Sequence, residues 1–193
     1  METLVSCALL GIVLTCVYSM LVAGVRYYKA SLTTVQLQQD SLLALMWLTR
    51  ELGESNSRTV AVFTSPPGIL FASPRDNLHN YALDSQGLIK WQKFICYYLE
   101  DRNGVSCLVR KEHYLDHPDL GISPPPVVAP VPRSTQTTAY YKTLNVPSRV
   151  VAQNVTDLQA QGNSPVELKL VIHREDLGRV FELNLAAKVA LRN

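Results

Sequence analysis

Residues 3–25, TLVSCALLGIVLTCVYSMLVAGV, contain no charged side chain. Wound as a helix, a run of that length crosses the roughly 30 Å hydrocarbon layer of a bilayer, where a helix satisfies its own backbone polar groups. The run does not end in a turn signal: it continues into RYYKASLTTVQLQQDSLLALMWLTRELGES (26–55), which has no proline and no glycine before Gly53. One helix of about fifty residues is the simplest reading. In its second half Val35, Leu42, Leu45, Met46 and Leu52 recur at helical spacing, with Gln38, Gln39, Asp40, Arg50 and Glu51 largely between them. That pattern predicts an apolar face lying on a soluble domain. The chain therefore divides into a membrane-spanning half-helix (1–26), an amphipathic continuation (27–53) and a soluble β domain (54–193). A cleaved secretory signal would show a basic start and a shorter apolar run, whereas here Arg26 and Lys29 follow the run, so the segment is expected to stay in the working protein.

Beyond Gly53 the periodicity changes. TVAVFT (59–64) and GILFA (68–72) flank Ser-Pro-Pro, a turn signal. LIKWQKFICYYLE and VSCLVRKE flank Asp101-Arg102-Asn103-Gly104, whose Asn-Gly pair suits the left-handed conformations of a tight hairpin turn. Val166, Leu168, Leu170 and Ile172 alternate with polar residues, as do Phe181, Leu183, Leu185, Ala187, Val189 and Leu191 with theirs. These two runs, joined near Asp176-Leu177-Gly178, read as the strongest antiparallel pair. The stretch PDLGISPPPVVAPVPR (118–133) is proline-dense and aperiodic, an extended surface loop. The fold class is α+β: a long N-terminal helix with its far half packed on an antiparallel β-sheet.

At 193 residues, one core plus an appendage is expected. A net charge of +2 with 18% charged residues gives no basic excess, so no nucleic-acid partner is expected. No G-x-S-x-G, Gly-rich phosphate loop or C-x-x-C is present, so no catalytic residue and no cofactor is assigned. His113 and His117 have the spacing of a helical metal pair, but they sit at a strand end before Pro118 without H-E-x-x-H, and no metal site is assigned; His79 and His173 are isolated. Asn154-Val155-Thr156 fits a glycosylation acceptor pattern that short sequences often produce by chance. The aromatics Trp91, Phe94, Tyr97 and Tyr98 read as core packing before a binding surface. Cys7 and Cys16 lie in the apolar run as small apolar residues, while Cys96 and Cys107 could form a disulfide in an oxidising compartment, although turn registers place them diagonally.

Glu2 is the one ionisable residue at the head of the apolar run, and a carboxylate there is costly unless it meets water, headgroups or a cation. It sits there either because it is terminal or because it seeks a partner. Met1-Glu2-Thr3-Leu4-Val5 followed by a pure apolar helix resembles the opening of type IV pilins and type II secretion pseudopilins. The soluble part is similar to the J-type minor pseudopilins and W-type minor pilins in three places: the hairpin Tyr97-Tyr98-Leu99 to Leu108-Val109-Arg110, Asn154-Val155-Thr156-Asp157-Leu158, and the closing Val189-Ala190-Leu191-Arg192-Asn193. The resemblance implies a pilin-like fold and a structural, non-enzymatic subunit of a filament, acting in assembly initiation at its tip. It also implies partners among other minor and major pilins or pseudopilins, the bacterial inner membrane, and a prepilin peptidase acting on the full-length precursor. Glu2 would meet the N-terminal amine of a neighbour, and Leu4, Leu9, Leu10, Gly11 and Ile12 would lie in the filament-core helix. The small residues Ala8, Gly11, Ser19, Ala23 and Gly24 would let helices approach closely, though they also fit ordinary membrane-helix composition.

The family's short basic leader ending in glycine, with Phe-Thr-Leu after it, does not precede Met1 in this sequence. Met1 is therefore expected to be an internal methionine of a longer precursor. Arg26 and Lys29 alone would put the soluble domain in the cytoplasm; a basic leader would reverse that to the periplasmic side. The other class of function is a signal-anchored protein whose β domain binds a ligand or partner. A flexible linker between anchor and domain would favour it, and the uninterrupted helix counts against it.

Overall fold

The computed structural model describes residues 2–75, 78–81, 83, 86–87, 89–114, 137–162, 164–176 and 179–191. Helix α1 runs unbroken over Glu2–Gly53. The first proline is Pro66, so no ring interrupts its hydrogen-bond ladder. Strands β1 (Ala61–Thr64), β2 (Pro67–Ser73), β3 (Lys93–Arg102), β4 (Val105–Tyr114) and β5 (Ser148–Gln153) form one antiparallel sheet in that order. A short helix, α2 (Thr138–Thr143), precedes β5. Strands β6 (Val155–Gln161), β7 (Val166–Asp176) and β8 (Arg179–Val189) form a second. The expectation of a single sheet is thus corrected to a five-stranded and a three-stranded sheet. The chain passes between them at Asn154, whose φ of +62° turns it sharply out of β5.

The hairpins follow the turn chemistry. Asn103 and Gly104, at φ +57° and +79°, close β3 onto β4, and the Gly104 amide donates to Asp101 Oδ1 at 2.9 Å. Val166 faces Val189 and Ile172 faces Leu183 in the β7–β8 ladder. Gly68 is needed for a different reason, because a Cβ there would lie 2.4 Å from Thr138 Cγ2 and 2.8 Å from the Tyr97 carbonyl oxygen. Its absence lets α2 close on β2.

The main core lies between the two sheets and the far half of α1. Leu37, Ala44, Leu48 and Leu52 of the helix meet Ile69, Phe71, Ile95 and Leu108 of the larger sheet and Leu168, Leu170 and Ile172 of the smaller. A second core on the opposite face of the five-stranded sheet gathers Leu70, Phe94, Cys96, Tyr98 and Val109 under Tyr141 of α2. Strand β3 is therefore buried on both faces, which is why its apolar run is continuous rather than alternating. The four aromatics read as core are indeed buried, but β3 divides them: Tyr97 enters the main core, while Trp91, Phe94 and Tyr98 enter the second. The proline-dense segment 118–133 and His117 lie outside the described residues.

The helix meets the sheets through a different face from the one expected. Its buried positions are Thr33, Leu37, Ser41, Ala44, Leu48 and Leu52. Of the five apolar positions singled out in the sequence only Leu52 is fully buried, and Val35, Leu42 and Met46 stand 44%, 50% and 64% exposed. Small side chains decide this. Thr33, Ser41 and Ala44 admit the sheets close to the helix axis, and the Ser41 hydroxyl bonds back to the Leu37 carbonyl, so a polar residue sits in the core without an orphaned group.

Candidate functional site

Helix α1 over residues 2–26 is exposed at every position but Val22, which is half-buried. Leu4, Leu9, Leu10 and Ile12 are 74%, 58%, 62% and 61% exposed, and a Cβ built on Gly11 or Gly24 would meet nothing within 4 Å. Its hydroxyls are turned inward on the helix: Ser6 donates to the Glu2 carbonyl at 3.0 Å, Thr15 to Gly11 at 2.8 Å and Ser19 to Cys16 at 2.8 Å. Polar side chains satisfied in this way suit surroundings without water. This is a helix long and apolar enough to cross a membrane. Glu2 occupies its first turn, where a carboxylate faces the positive end of the helix dipole.

The exposed apolar surface does not stop where the domain begins. Leu32, Val35, Leu42, Leu43 and Met46 continue it along the outer side of the half that packs on the sheets. An anchor alone asks nothing of that outer side, which in an isolated domain would face water.

At the far end of α1 a set of charges ties helix to sheet. The Glu51 carboxylate accepts from Arg110 of β4, Nε to Oε2 at 2.9 Å and Nη2 to Oε1 at 2.7 Å, and from the Tyr97 hydroxyl at 2.6 Å. Arg110 also pairs through Nη1 with Glu112, which takes the buried Lys93 ammonium at 2.7 Å. One turn on, Glu54 receives Arg75 at both oxygens, 2.6 and 2.5 Å. Burial pushes the Glu112 carboxyl up, but the Lys93 hydrogen bond and the Arg110 and Lys93 charges outweigh it and hold it at about 2. Burial likewise pushes the Glu54 carboxyl up, and the Arg75 hydrogen bond and charge outweigh it and hold it below its ordinary value. Burial and the neighbouring Glu51 charge raise the Tyr97 phenol well above its ordinary range. The sequence reading placed Glu51 among the polar positions between apolar ones and missed this network. The available signal was Arg110 and Glu112 two apart on one face of a strand, with Glu51 in the last turn of a helix and Glu54 just past its end.

No family model, curated protein or solved structure matches this chain.

The possible Cys96–Cys107 disulfide is not formed: both are free thiols. In the hairpin Cys96 faces Lys111 and Cys107 faces Glu100. The four-position offset is about 13 Å of strand, beyond the reach of a disulfide. Cys96, buried in the second core, has its thiol pushed up to about 12 by burial, so it is a packing residue and a poor nucleophile. Cys7 and Cys16 are exposed on the unpacked part of α1. His113 lies edge-on to the Tyr141 ring at 6.3 Å, and no cluster of His, Cys, Asp or Glu able to hold a metal occurs among the described residues. Lys111, 6% exposed, donates to the carbonyls of Tyr141, Lys142 and Leu144 at 2.9, 3.1 and 3.0 Å, so its ammonium caps the end of α2.

Proposed function

We propose that this chain is a structural minor subunit, a pseudopilin or pilin, of a type II secretion or type IV pilus-like filament, acting in the initiation of assembly at its tip. The observation that carries the reading is that large exposed apolar residues recur along α1 from Leu4 to Met46, past the point where the helix joins its domain. A filament subunit buries both halves of such a helix against the helices of its neighbours, which removes Val35, Leu42 and Met46 from water. An anchored receptor domain leaves them wet, so the outer face favours the filament.

In this reading the helix is held in the bacterial inner membrane before assembly, with the β domain on the periplasmic side. Apolar helices of other minor and major subunits then pack around Leu4, Leu9, Leu10, Gly11 and Ile12. Glu2 pairs with the N-terminal amine of the neighbouring subunit, an attraction strengthened by the low dielectric of a helix-packed core. The subunit performs no chemistry; a prepilin peptidase acts on its precursor.

N-terminal sequencing of the protein recovered from native membranes tests the processing step. A chain beginning at a methylated residue a few positions ahead of Glu2 supports the reading, and a chain that retains an unprocessed start contradicts it.

A further inference from the structure

We propose that the cleft between Trp47 and Arg149 is a docking notch for an acidic side chain of a protein partner, presented beside an apolar residue. The cleft holds about 150 Å³ between the outer side of α1 and the five-stranded sheet, and its walls include Leu43, Trp47, Glu51, His79, Arg110 and Arg149, with the Glu51 carboxylate taken up by Arg110 and the Tyr97 hydroxyl. Arg149 of β5 stands directly opposite Arg110 of β4 in the ladder. Like charges in that relation repel. Arg110 is neutralised, because Glu51 and Glu112 both bind it. Lys93 balances the second of those carboxylates, so the four groups cancel. Arg149 is left over: it lies exposed, its guanidinium 5.4 Å from the Trp47 ring centroid, and it forms no ion pair among the described residues.

A guanidinium stacked on an aromatic face keeps its in-plane N–H groups outward, and that edge matches the two oxygens of a carboxylate. The rim adds the second half of the specificity. Leu43 and Trp47 are 54% and 38% exposed, so an occupant seated on Arg149 also covers apolar surface. A glutamate or aspartate next to an apolar residue on a polypeptide satisfies both, whereas a free small acid leaves the rim wet. His79, at φ +63° with its carbonyl accepting from Arg75 Nη1 at 2.5 Å, is fixed as the opposite wall. The notch is formed by the single folded chain, before any neighbouring helix covers Leu43, so a peptide titration of that chain is independent of the filament reading.

The test uses the full chain in detergent micelles, labelled with ¹⁵N and titrated separately with acetyl-Leu-Glu-Leu-amide and acetyl-Leu-Gln-Leu-amide. The chain has two tryptophans, and Trp91, 5% exposed in the second core, serves as an internal reference. The expected result is a saturating shift of the Trp47 indole N–H with the Glu peptide, binding at least about tenfold more weakly with the Gln peptide. Arg149→Met abolishes the shift with the Trp91 signal unmoved, and Arg149→Lys, which keeps charge but loses the fork, retains part of it. The proposal is overturned if the two peptides act alike, if neither moves Trp47, or if the Glu response survives in Arg149→Met.

Discussion

Glu51 and Arg110 form a two-pronged ion pair, 2.7 and 2.9 Å, between the last turns of the long helix and strand β4 of the five-stranded sheet. Both side chains are nearly buried, at 11% and 12% exposure. Removing one member of such a pair leaves the other desolvated and unmatched. Glu51→Ala is expected to lower the unfolding free energy by roughly 3 kcal/mol, and the double replacement Glu51→Leu with Arg110→Met by less than the single one. Urea unfolding of the full chain in detergent, read by near-ultraviolet circular dichroism, measures both. A double variant destabilised as much as Glu51→Ala, or more, would contradict it.

Glu112 gives the domain an acid limit. Its carboxyl lies at about 2 against an ordinary 4.5, so the folded state binds a proton less readily than the unfolded chain. The stability this provides is complete above about pH 4.5 and is lost as the pH falls towards about 2. Glu54, also lowered, acts in the same direction. Unfolding midpoints measured across that window should fall with acidification, and Glu112→Gln should flatten the slope. An unchanged slope in that variant would remove Glu112 from the account.

The two sides of the far half of α1 should respond differently to truncation. Leu48, 1% exposed between helix and sheets, should cost about 3 kcal/mol on replacement by alanine. Met46, 64% exposed two residues away, should change the stability of the isolated chain by no more than about 0.5 kcal/mol. Equal losses at both positions, measured by the same urea unfolding, would mean that the helix sits on the sheets in another rotation.

Much of this architecture was legible in the pattern of residues. The unbroken helix followed from the lack of proline before Pro66, the β3–β4 hairpin from Asn103-Gly104, and the β7–β8 ladder from the alternation that begins at Val166. The rotation of α1 was misread for a physical reason: apolar periodicity identifies a surface that avoids water, and this helix has two such surfaces. The one built from Thr33, Ser41 and Ala44 looks unremarkable by hydropathy yet permits the closest packing, while the more apolar Val35, Leu42 and Met46 are left outside. The second sheet was hidden because strand alternation does not say which strands are neighbours. The Glu51 network was hidden because its members lie 46 and 59 residues apart in sequence. The cysteine offset needed the hairpin register, which depends on where the two-residue turn falls.

A photoreactive amino acid placed at Met46 in the full chain and irradiated in native membranes reads out whether the outer apolar face of α1 meets other apolar helices. Cross-links to other membrane proteins that open with an apolar N-terminal helix, identified by mass spectrometry, are the predicted result. Cross-links to lipid alone, or none from a folded and membrane-inserted chain, would contradict the filament account and leave Leu32, Val35, Leu42 and Met46 as the surface of a solitary anchored domain.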